Sequence, residues 1–326
     1  MKRTLFTVLG TSLLLGACGD GSLFPEPDQV ITNGSITPAN ALVTTRASWQ
    51  AAVTSGNFAT IGGSLGLSAE TGSGMSKPAN TALTGASLDG LLQKVPFGPD
   101  EFQCLTSGTV TISGDIADPT DPTRLSNGDT FQVVYVACND GVGEILDGTI
   151  DFTVGDFAGD LLAGTYMLSM DAITADLQVN TGGLTTVSNG DTTVALDTME
   201  TPFIDVGTSG TRMRVDSNAR SDILIDFQSN QTVDGNVAPA PYTLSAAGSL
   251  DSTLLNGVVR YSTIETFQGV GTDFPTQGRL RVQGSGSSLE LVAIDNVNVD
   301  IEIDSNGDGT IDVTISTTWA DISSGG

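Results

Sequence analysis

The sequence predicts an antiparallel all-β protein, built as a large sandwich or an open half-barrel, with one or two short N-terminal helices. Two observations predict this fold class. Apolar and polar residues alternate with a period of two, as in Ile150, Phe152 and Val154 against Asp151 and Thr153, which is typical of a strand with one buried face. Residues that form tight turns separate these segments at short intervals, which favours hairpin connections.

The predicted strands all follow Cys104. The segments with this alternation are Thr109 to Ile112, Phe131 to Ala137, Ile150 to Val154, Tyr166 to Val179, Thr192 to Leu196, Arg212 to Val215, Ile223 to Phe227, Tyr242 to Leu250, Val258 to Ile264, Leu280 to Val282, Leu289 to Ile294, Val297 to Ile303 and Ile311 to Ile315.

The predicted turns contain Asn or Asp next to Gly. Such pairs favour tight turns because Gly adopts positive φ and the Asn or Asp side chain bonds to the nearby backbone. The predicted turns are Asn127-Gly128-Asp129, Asn139-Asp140-Gly141, Asn189-Gly190-Asp191, Asp234-Gly235-Asn236 and Asn306-Gly307-Asp308-Gly309.

Two short helices are predicted before the strands. One covers Arg46 to Val53. The other covers Thr81 to about Val95, with one face formed by Leu83, Leu88, Leu91 and Leu92.

The first 17 residues have the layout of an export signal. Lys2 and Arg3 precede an apolar run from Leu5 to Leu15, and Gly16-Ala17-Cys18 follows. The run is shorter than the ~20 residues that a membrane-spanning helix needs, so we interpret it as a cleaved signal peptide. The alternative is an ordinary secretory signal followed by a coincidental cysteine.

Leu15-Gly16-Ala17-Cys18 resembles the lipobox of bacterial lipoproteins. The resemblance implies cleavage before Cys18, lipidation of its thiol, and attachment to a membrane through the lipid alone. In that family an aspartate directly after the cysteine favours the inner membrane. Gly19 occupies that position here, which implies the outer membrane, on either its periplasmic or its cell-surface face.

The predicted organisation has three parts. Residues 1–17 form the signal peptide, residues 18–45 form a tether rich in Gly, Pro and Asn, and residues 46–326 form the β-rich body. One β domain or two smaller ones would fit this length, and a break between two would fall near 234–241.

The composition restricts the classes of function. The formal net charge is -26, which disfavours binding to nucleic acid and favours divalent cations or a simply well-solvated surface. The sequence has no histidine, so the common catalytic triads and zinc sites are disfavoured. A glycosidase that uses two carboxylates remains an alternative, although only 2 Trp and 4 Tyr are present to stack on sugars.

Cys104 and Cys138 form an even pair in a chain predicted to be exported. In an oxidising compartment such a pair predicts a disulfide. The alternative, a catalytic thiol, lacks a histidine partner.

One segment has the spacing of a calcium loop. Asp304-Ser305-Asn306-Gly307-Asp308-Gly309-Thr310-Ile311-Asp312 resembles the first nine positions of EF-hand loops, with candidate ligands at Asp304, Asn306, Asp308, Thr310 and Asp312. The glutamate expected at position 12 is replaced by Ile315. The alternative interpretation is a plain hairpin turn with solvated aspartates. The pentapeptide Asp147 to Asp151 repeats Asp308 to Asp312 and is predicted to open a strand without any metal.

A second acidic stretch follows no recognisable ligand spacing. It includes Asp115, Asp118, Asp121 and the turn ending at Asp129. We interpret it as a solvated loop.

These observations lead to three functional hypotheses. The first is a non-enzymatic lipoprotein of the outer membrane with a structural or binding role, stabilised by calcium, whose envelope partner the sequence does not identify. The second is a carrier or receptor for lipid or another apolar ligand, because an open half-barrel leaves an apolar concave face. The third is the carboxylate-dependent glycosidase.

Overall fold

The computed structural model describes residues 32–57, 97–118, 125–139, 144–160, 165–181, 184–200, 202–217, 220–255, 257–271 and 273–323. The predicted helix over Thr81 to Val95 and the lipobox lie outside the described residues. The elements are α1 (Ala41–Asn57), β1 (Phe97–Gln103), β2 (Ser107–Asp115), β3 (Thr130–Asn139), β4 (Glu144–Asp160), β5 (Thr165–Thr181), β6 (Leu184–Asp197), β7 (Phe203–Ser217), β8 (Arg220–Asp234), β9 (Pro241–Ser252), β10 (Val259–Val270), β11 (Gln277–Gly284), β12 (Ser287–Ala293), β13 (Asn298–Asp304), β14 (Val313–Thr318) and α2 (Trp319–Ser323).

The strands of the described residues form one antiparallel sheet of 14 strands in sequence order, from β1 at one edge to β14 at the other. The sheet is open, which confirms the all-β prediction. Its buried residues form two clusters, one on β2 to β7 and the other on β7 to β14 with both helices. The segment 234–241, where a break between two domains would fall, is the hairpin connection between β8 and β9. Thr232 pairs with Thr243 across it, and Val233 pairs with Tyr242.

The C-terminal half of the sheet curves around α1. The helix contacts β7, β8 and β9 and also β11, β12 and β13, so distant strands reach it from different directions. Its buried side chains include Ala41, Ala47 and Trp49. They pack with the inner residues of the strands into the second cluster. The concave side of this half is therefore occupied by the helix.

An aromatic cluster joins the two helices. The ring of Trp49 lies 4.7 Å from that of Trp319 and 5.0 Å from that of Phe267, and the ring of Phe274 stacks on Trp319 at 5.7 Å. The indole nitrogen of Trp319 donates hydrogen bonds to the carbonyl oxygens of Pro275 and Asp295. Both indoles are buried, so this contact fixes α1 and the end of the sheet together.

The N-terminal half contains the predicted disulfide. Cys104 and Cys138 are bonded, with Cα atoms 5.5 Å apart, and both are buried. Closing this loop stabilises the fold by about 3 to 4 kcal/mol on the chain-entropy model.

A row of β-bulges crosses much of the sheet between β2 and β9. The register shifts in the pairs from β2–β3 to β6–β7 and in β8–β9, whereas β7 and β8 pair without a shift. At several of these shifts a glycine of one strand lies against the backbone of its neighbour. Gly108 lies against Ala137 and Gly148 against Asp176, and both partners have positive φ. Bulges increase local twist and bend strands, so this row curves a sheet whose strands are up to 17 residues long.

One Asn-Gly pair was predicted to form a turn and one Asp-Gly pair to open a strand. Both predictions are wrong, because the two pairs lie in the row of β-bulges. Asn189-Gly190-Asp191 lies inside β6, not in a turn. Asp147-Gly148 lies inside β4 and does not open it. The Asn or Asp side chain accepts a hydrogen bond from the neighbouring strand at these sites, since Asn189 binds the amide of Asp176 and Asp147 binds that of Ala137. Turns and bulges both require positive φ and a side-chain acceptor, so the two are alike in sequence.

The body begins earlier in the chain than the predicted boundary after residue 45. The amide groups of Asn33 and Gly34 donate to the carbonyl oxygen of Val258, and Ile36 is fully buried. Helix α1 also starts at Ala41 and ends at Asn57, beyond both predicted limits of Arg46 and Val53. Because the sheet encloses much of α1, its buried positions include Ala and Thr residues as well as Trp49, and this blurs the amphipathic pattern.

Candidate functional site: the Asp304 loop and its charged neighbours

The predicted calcium loop connects β13 to β14. Asp304 ends β13 and is only 5% exposed, whereas Asn306 to Asp312 are exposed. Gly307 and Gly309 both have positive φ, which explains the two glycines. The loop is therefore the connection of a hairpin, as the strand pattern predicted.

The Asp304 carboxylate organises this loop. One oxygen accepts hydrogen bonds from the backbone amides of Asn306 and Gly307, and the other accepts one from Gly309 at 2.8 Å. The bond from Gly309 is the largest influence that lowers the pKa of Asp304 below its usual value, and it outweighs the opposing effect of desolvation. Asp304 is thus an ionised acceptor that stabilises the turn.

The other candidate ligands also bond within the loop. The Asn306 side-chain oxygen accepts the amide of Asp308, and the Asp308 carboxylate accepts the amide of Thr310. Asp312 accepts both the amide and the hydroxyl of Ser305. These contacts order the loop, and the Asp304 side chain is buried rather than solvated. Within the described residues, no group of three or more Asp, Glu or Cys side chains is arranged to hold a metal ion.

Next to the loop lies an ion-pair cluster that the sequence analysis missed. On β11 and β12, Arg279 and Arg281 each bond to Glu290, at 2.6 Å and 2.5 Å, and Arg279 also bonds to Glu302 on β13 at 2.9 Å. A shallow cavity of about 460 Å³ is lined by Arg281, Glu290, Glu302 and Asp304 together with Thr32. In the sequence, the charged residues of this cluster are visible only as pairs two residues apart on predicted strands. The strand register brings the arginines and glutamates together.

Hydrogen bonds from the protein itself stabilise the negative charges of two carboxylates on β13. The carboxylates of Glu302 and Asp304 lie two residues apart on the same face of one strand. Their mutual repulsion destabilises the strand unless a neighbouring group relieves it. Arg279 relieves it at Glu302, and backbone amides relieve it at Asp304. A bound cation is therefore not required to explain this row of acidic residues.

Glu290 and Glu302 are the only carboxylate pair in this cavity on directly paired positions. Arg279 lies between them and bonds to both, so they do not face each other across an open cleft. Burial would raise the pKa of Glu290, but the hydrogen bonds from Arg279 and Arg281 outweigh it and hold the pKa below its usual range. A glycosidase acid needs a raised pKa, so this pair lacks the properties of that mechanism.

The second acidic stretch divides into two environments. Asp115 and Asp118 are exposed, as predicted, and Asp121 lies outside the described residues. Asp129 is fully buried, in contrast to the predicted solvated loop. Its carboxylate accepts hydrogen bonds from the amides of Ala117 and Ser126 and from the Ser126 hydroxyl. It holds the connection between β2 and β3 closed.

Comparison of the chain with family models, curated proteins and solved structures found no match. Among the described residues, no helix is long and apolar enough to cross a membrane.

Proposed function

We propose that this protein is a lipoprotein of the outer membrane, attached through Cys18, whose β body has a non-enzymatic structural or binding role in the cell envelope. The observation that carries the proposal is the lipobox Leu15-Gly16-Ala17-Cys18. The structure describes where the chain after this segment joins the body. Asn33 and Gly34 bond to Val258, and the carbonyl oxygen of Gly34 accepts the amide of Ser285.

These bonds define the point at which the segment that carries Cys18 joins the body. Cys18 and Thr32 are separated by 14 residue steps, which span at most about 50 Å when fully extended. The lipid would therefore hold the connections around Val258 and Ser285 within that distance of the bilayer.

The non-enzymatic role rests on the chemistry of the described carboxylates and on the lack of histidine in the sequence. The Glu290 and Glu302 carboxylates are bridged by arginine, and Asp304 and Asp129 are occupied by backbone amides. These groups stabilise turns and strand pairs.

The structural or binding role is favoured over the carrier of an apolar ligand. A carrier needs an apolar cavity with room for its ligand. In the C-terminal half of the sheet, α1 and Trp319 fill the concave side, and the side chains there are packed together.

Lipidation is tested by metabolic labelling with a fatty acid and by fractionation of the membranes. We expect label on the wild-type protein in the outer-membrane fraction, no label on Cys18→Ser, and a shift of Gly19→Asp to the inner membrane. The matched control for the cysteine is Thr11→Ser, within the same segment. Cys18→Ser that stays membrane-bound at the wild-type level would contradict the anchor.

We also propose that calcium binds the Asp304 loop and stabilises it, because carboxylate and amide oxygens occupy positions 1, 3 and 5 of the spacing. We expect a higher melting temperature with calcium than with chelator, and no such difference in Asp304→Ala. Asp251→Ala, an exposed acidic residue on β9, is the control for general charge effects. Equal melting temperatures for the wild type would leave the loop as a plain hairpin.

A further inference from the structure

Four hairpin connections lie side by side along one end of the sheet. They join β6 to β7, β8 to β9, β10 to β11 and β12 to β13. Their described residues are 198–200 and 202, 235–240, 271 and 273–276, and 294–297. We call this row, with the strand residues that flank it, the apolar edge.

The apolar edge exposes large hydrophobic side chains from every one of its connections or their flanking strand ends. Their exposed fractions are 48% for Met199, 44% for Phe203, 50% for Val237, 41% for Val270, 53% for Ile294 and 55% for Val297. Isolated exposed hydrophobic residues are ordinary, but a row of them on adjoining connections marks an interaction surface.

Contacts between neighbouring connections make the row continuous. The amide of Gly235 donates to the carbonyl oxygen of Pro202 at 3.0 Å, and the amide of Gly271 donates to that of Ala240 at 2.8 Å. The indole of Trp319 then bonds to the carbonyl oxygens of both Pro275 and Asp295. The six hydrophobic side chains are therefore presented by a single connected surface.

Carboxylates hold these connections in shape. The Asp197 side chain accepts the amide of Met199 at 2.8 Å, and the Asp295 side chain accepts the amide of Val297 at 2.8 Å. Asp234 accepts the amide of Asn236 at 2.9 Å in the same manner. The exposed hydrophobic residues thus sit on turns that are ordered before any partner binds, which lowers the entropic cost of binding.

The charge of the apolar edge has one sign. Its carboxylates are Asp197, Glu200, Asp234, Asp273 and Asp295. The sequence contains no Lys or Arg between Arg124 and Arg212, between Arg220 and Arg260, between Arg260 and Arg279, or after Arg281. None of the four connections therefore contains a basic residue. A surface that combines apolar side chains and carboxylates, with no basic residue in its connections, is complementary to a cationic partner.

The apolar edge lies at the opposite end of the strands from the point where the N-terminal segment joins the body. That segment bonds to Val258 and Ser285, whereas Val270 and Gln277 are at the other ends of the same strands. The 12 residues of β10 place these ends about 35 Å apart at the usual rise per residue. This orientation, unlike the chemistry of the edge, rests on the proposed anchor at Cys18.

We propose that the apolar edge is a docking surface for a basic, partly apolar segment of another envelope protein. A lipid surface fits less well, because anionic headgroups would be repelled by the carboxylates and the anchor leaves from the opposite end. Self-association through this edge also fits less well, because two copies would bring like charges together.

The test is photo-crosslinking in cells that make the full-length protein, with the photoreactive amino acid placed at Val237 or Ile294. Thr314, which is exposed on β14, is the control position. We expect a product at least tenfold stronger from the edge positions than from Thr314. Mass spectrometry of the product should identify a peptide of another protein with a net positive charge at the crosslinked site.

The charge argument is tested with two matched double variants at exposed positions. Glu200→Gln with Asp273→Asn removes two charges from the apolar edge, and Asp151→Asn with Asp251→Asn removes two from elsewhere on the sheet. We expect the first set to reduce the product at least fivefold and the second to leave it unchanged. A crosslink to lipid, to a second copy or to a peptide without positive charge overturns the proposal, as does an equal effect of both sets or no product.

Lipid labelling at Cys18 in the same cells separates the two proposals. A labelled protein without the expected crosslink overturns the docking surface alone. An unlabelled protein with the crosslink overturns the anchor alone.

Discussion

At the scale of single residues, glycines determine where the long strands can bend. Gly148 in β4 has φ of +121°, and a Cβ atom there would lie 2.4 Å from the carbonyl oxygen of Asp176. Asp176 itself has positive φ, and Asn189 binds its amide. Three neighbouring strands therefore depend on one residue without a side chain.

We predict that Gly148→Ala destabilises the protein by about 1 to 3 kcal/mol, because the new side chain meets backbone on the adjacent strand and strains its own φ. The control is Gly98→Ala in β1, where a Cβ atom has no neighbour within 4 Å. Urea unfolding measures both variants. Equal stability of the two would show that the row of bulges tolerates side chains.

At the scale of elements, α1 connects the N-terminal segment to the C-terminal end of the sheet. Trp49 contacts Trp319 and Phe267, and the Arg46 side chain donates to the carbonyl oxygen of Asp321 in α2. One turn further along the helix, Gln50 accepts a hydrogen bond from Arg220, which also pairs with Asp222. The helix is held through its side chains by both ends of the surrounding strands.

We predict that Trp49→Ala destabilises the protein by about 3 to 5 kcal/mol, through lost burial and the cavity left between the aromatic rings. Val43→Ala, on the partly exposed side of the same helix, should change stability by less than about 1 kcal/mol. Denaturant unfolding followed by tryptophan fluorescence measures both variants, because Trp319 remains as a reporter in Trp49→Ala. A small effect of Trp49→Ala would mean that the sheet retains its curvature without this contact.

At the scale of the whole molecule, ionised carboxylates are part of the folded architecture. Hydrogen bonds lower the pKa of Asp295, Asp304 and Asp321, and those from two arginines lower the pKa of Glu290 against the effect of burial. A carboxyl whose folded pKa is lowered contributes stability above its unfolded pKa and loses that contribution as the pH falls through the folded value.

We therefore predict a melting temperature that changes little between pH 7 and 5 and falls steadily below about pH 4, where the unfolded carboxyl groups take up protons first. Protonation also reduces the repulsion between carboxylates in a chain of net charge -26, and this raises the melting temperature as the pH falls. Salt at 0.15 M weakens that effect because it screens exposed charges beyond about 8 Å. Asp295→Asn should show a shallower fall than the wild type. A melting temperature that rises continuously down to pH 3 would show that repulsion dominates.

The sequence alone determined the features that depend on local pattern. Alternation with a period of two identifies a strand and its buried face, so the all-β class was predictable, and the disulfide followed from the even pair Cys104 and Cys138. The loop after Asp304 was recognisable as a turn from its Asn-Gly and Asp-Gly pairs, because Gly adopts positive φ and the Asn and Asp side chains bond to the nearby backbone.

Only the tertiary structure decided the features that depend on partners distant in the chain. Alternation does not specify which strand lies opposite, so the contacts of Arg279 and Arg281 with Glu290 could not be assigned before the register was known. Asp147-Gly148 and Asn306-Gly307 have the same local requirement for positive φ, yet one lies in a bulge and the other in a turn. The apolar edge exists only because pairing in sequence order places every second connection at the same end of the sheet.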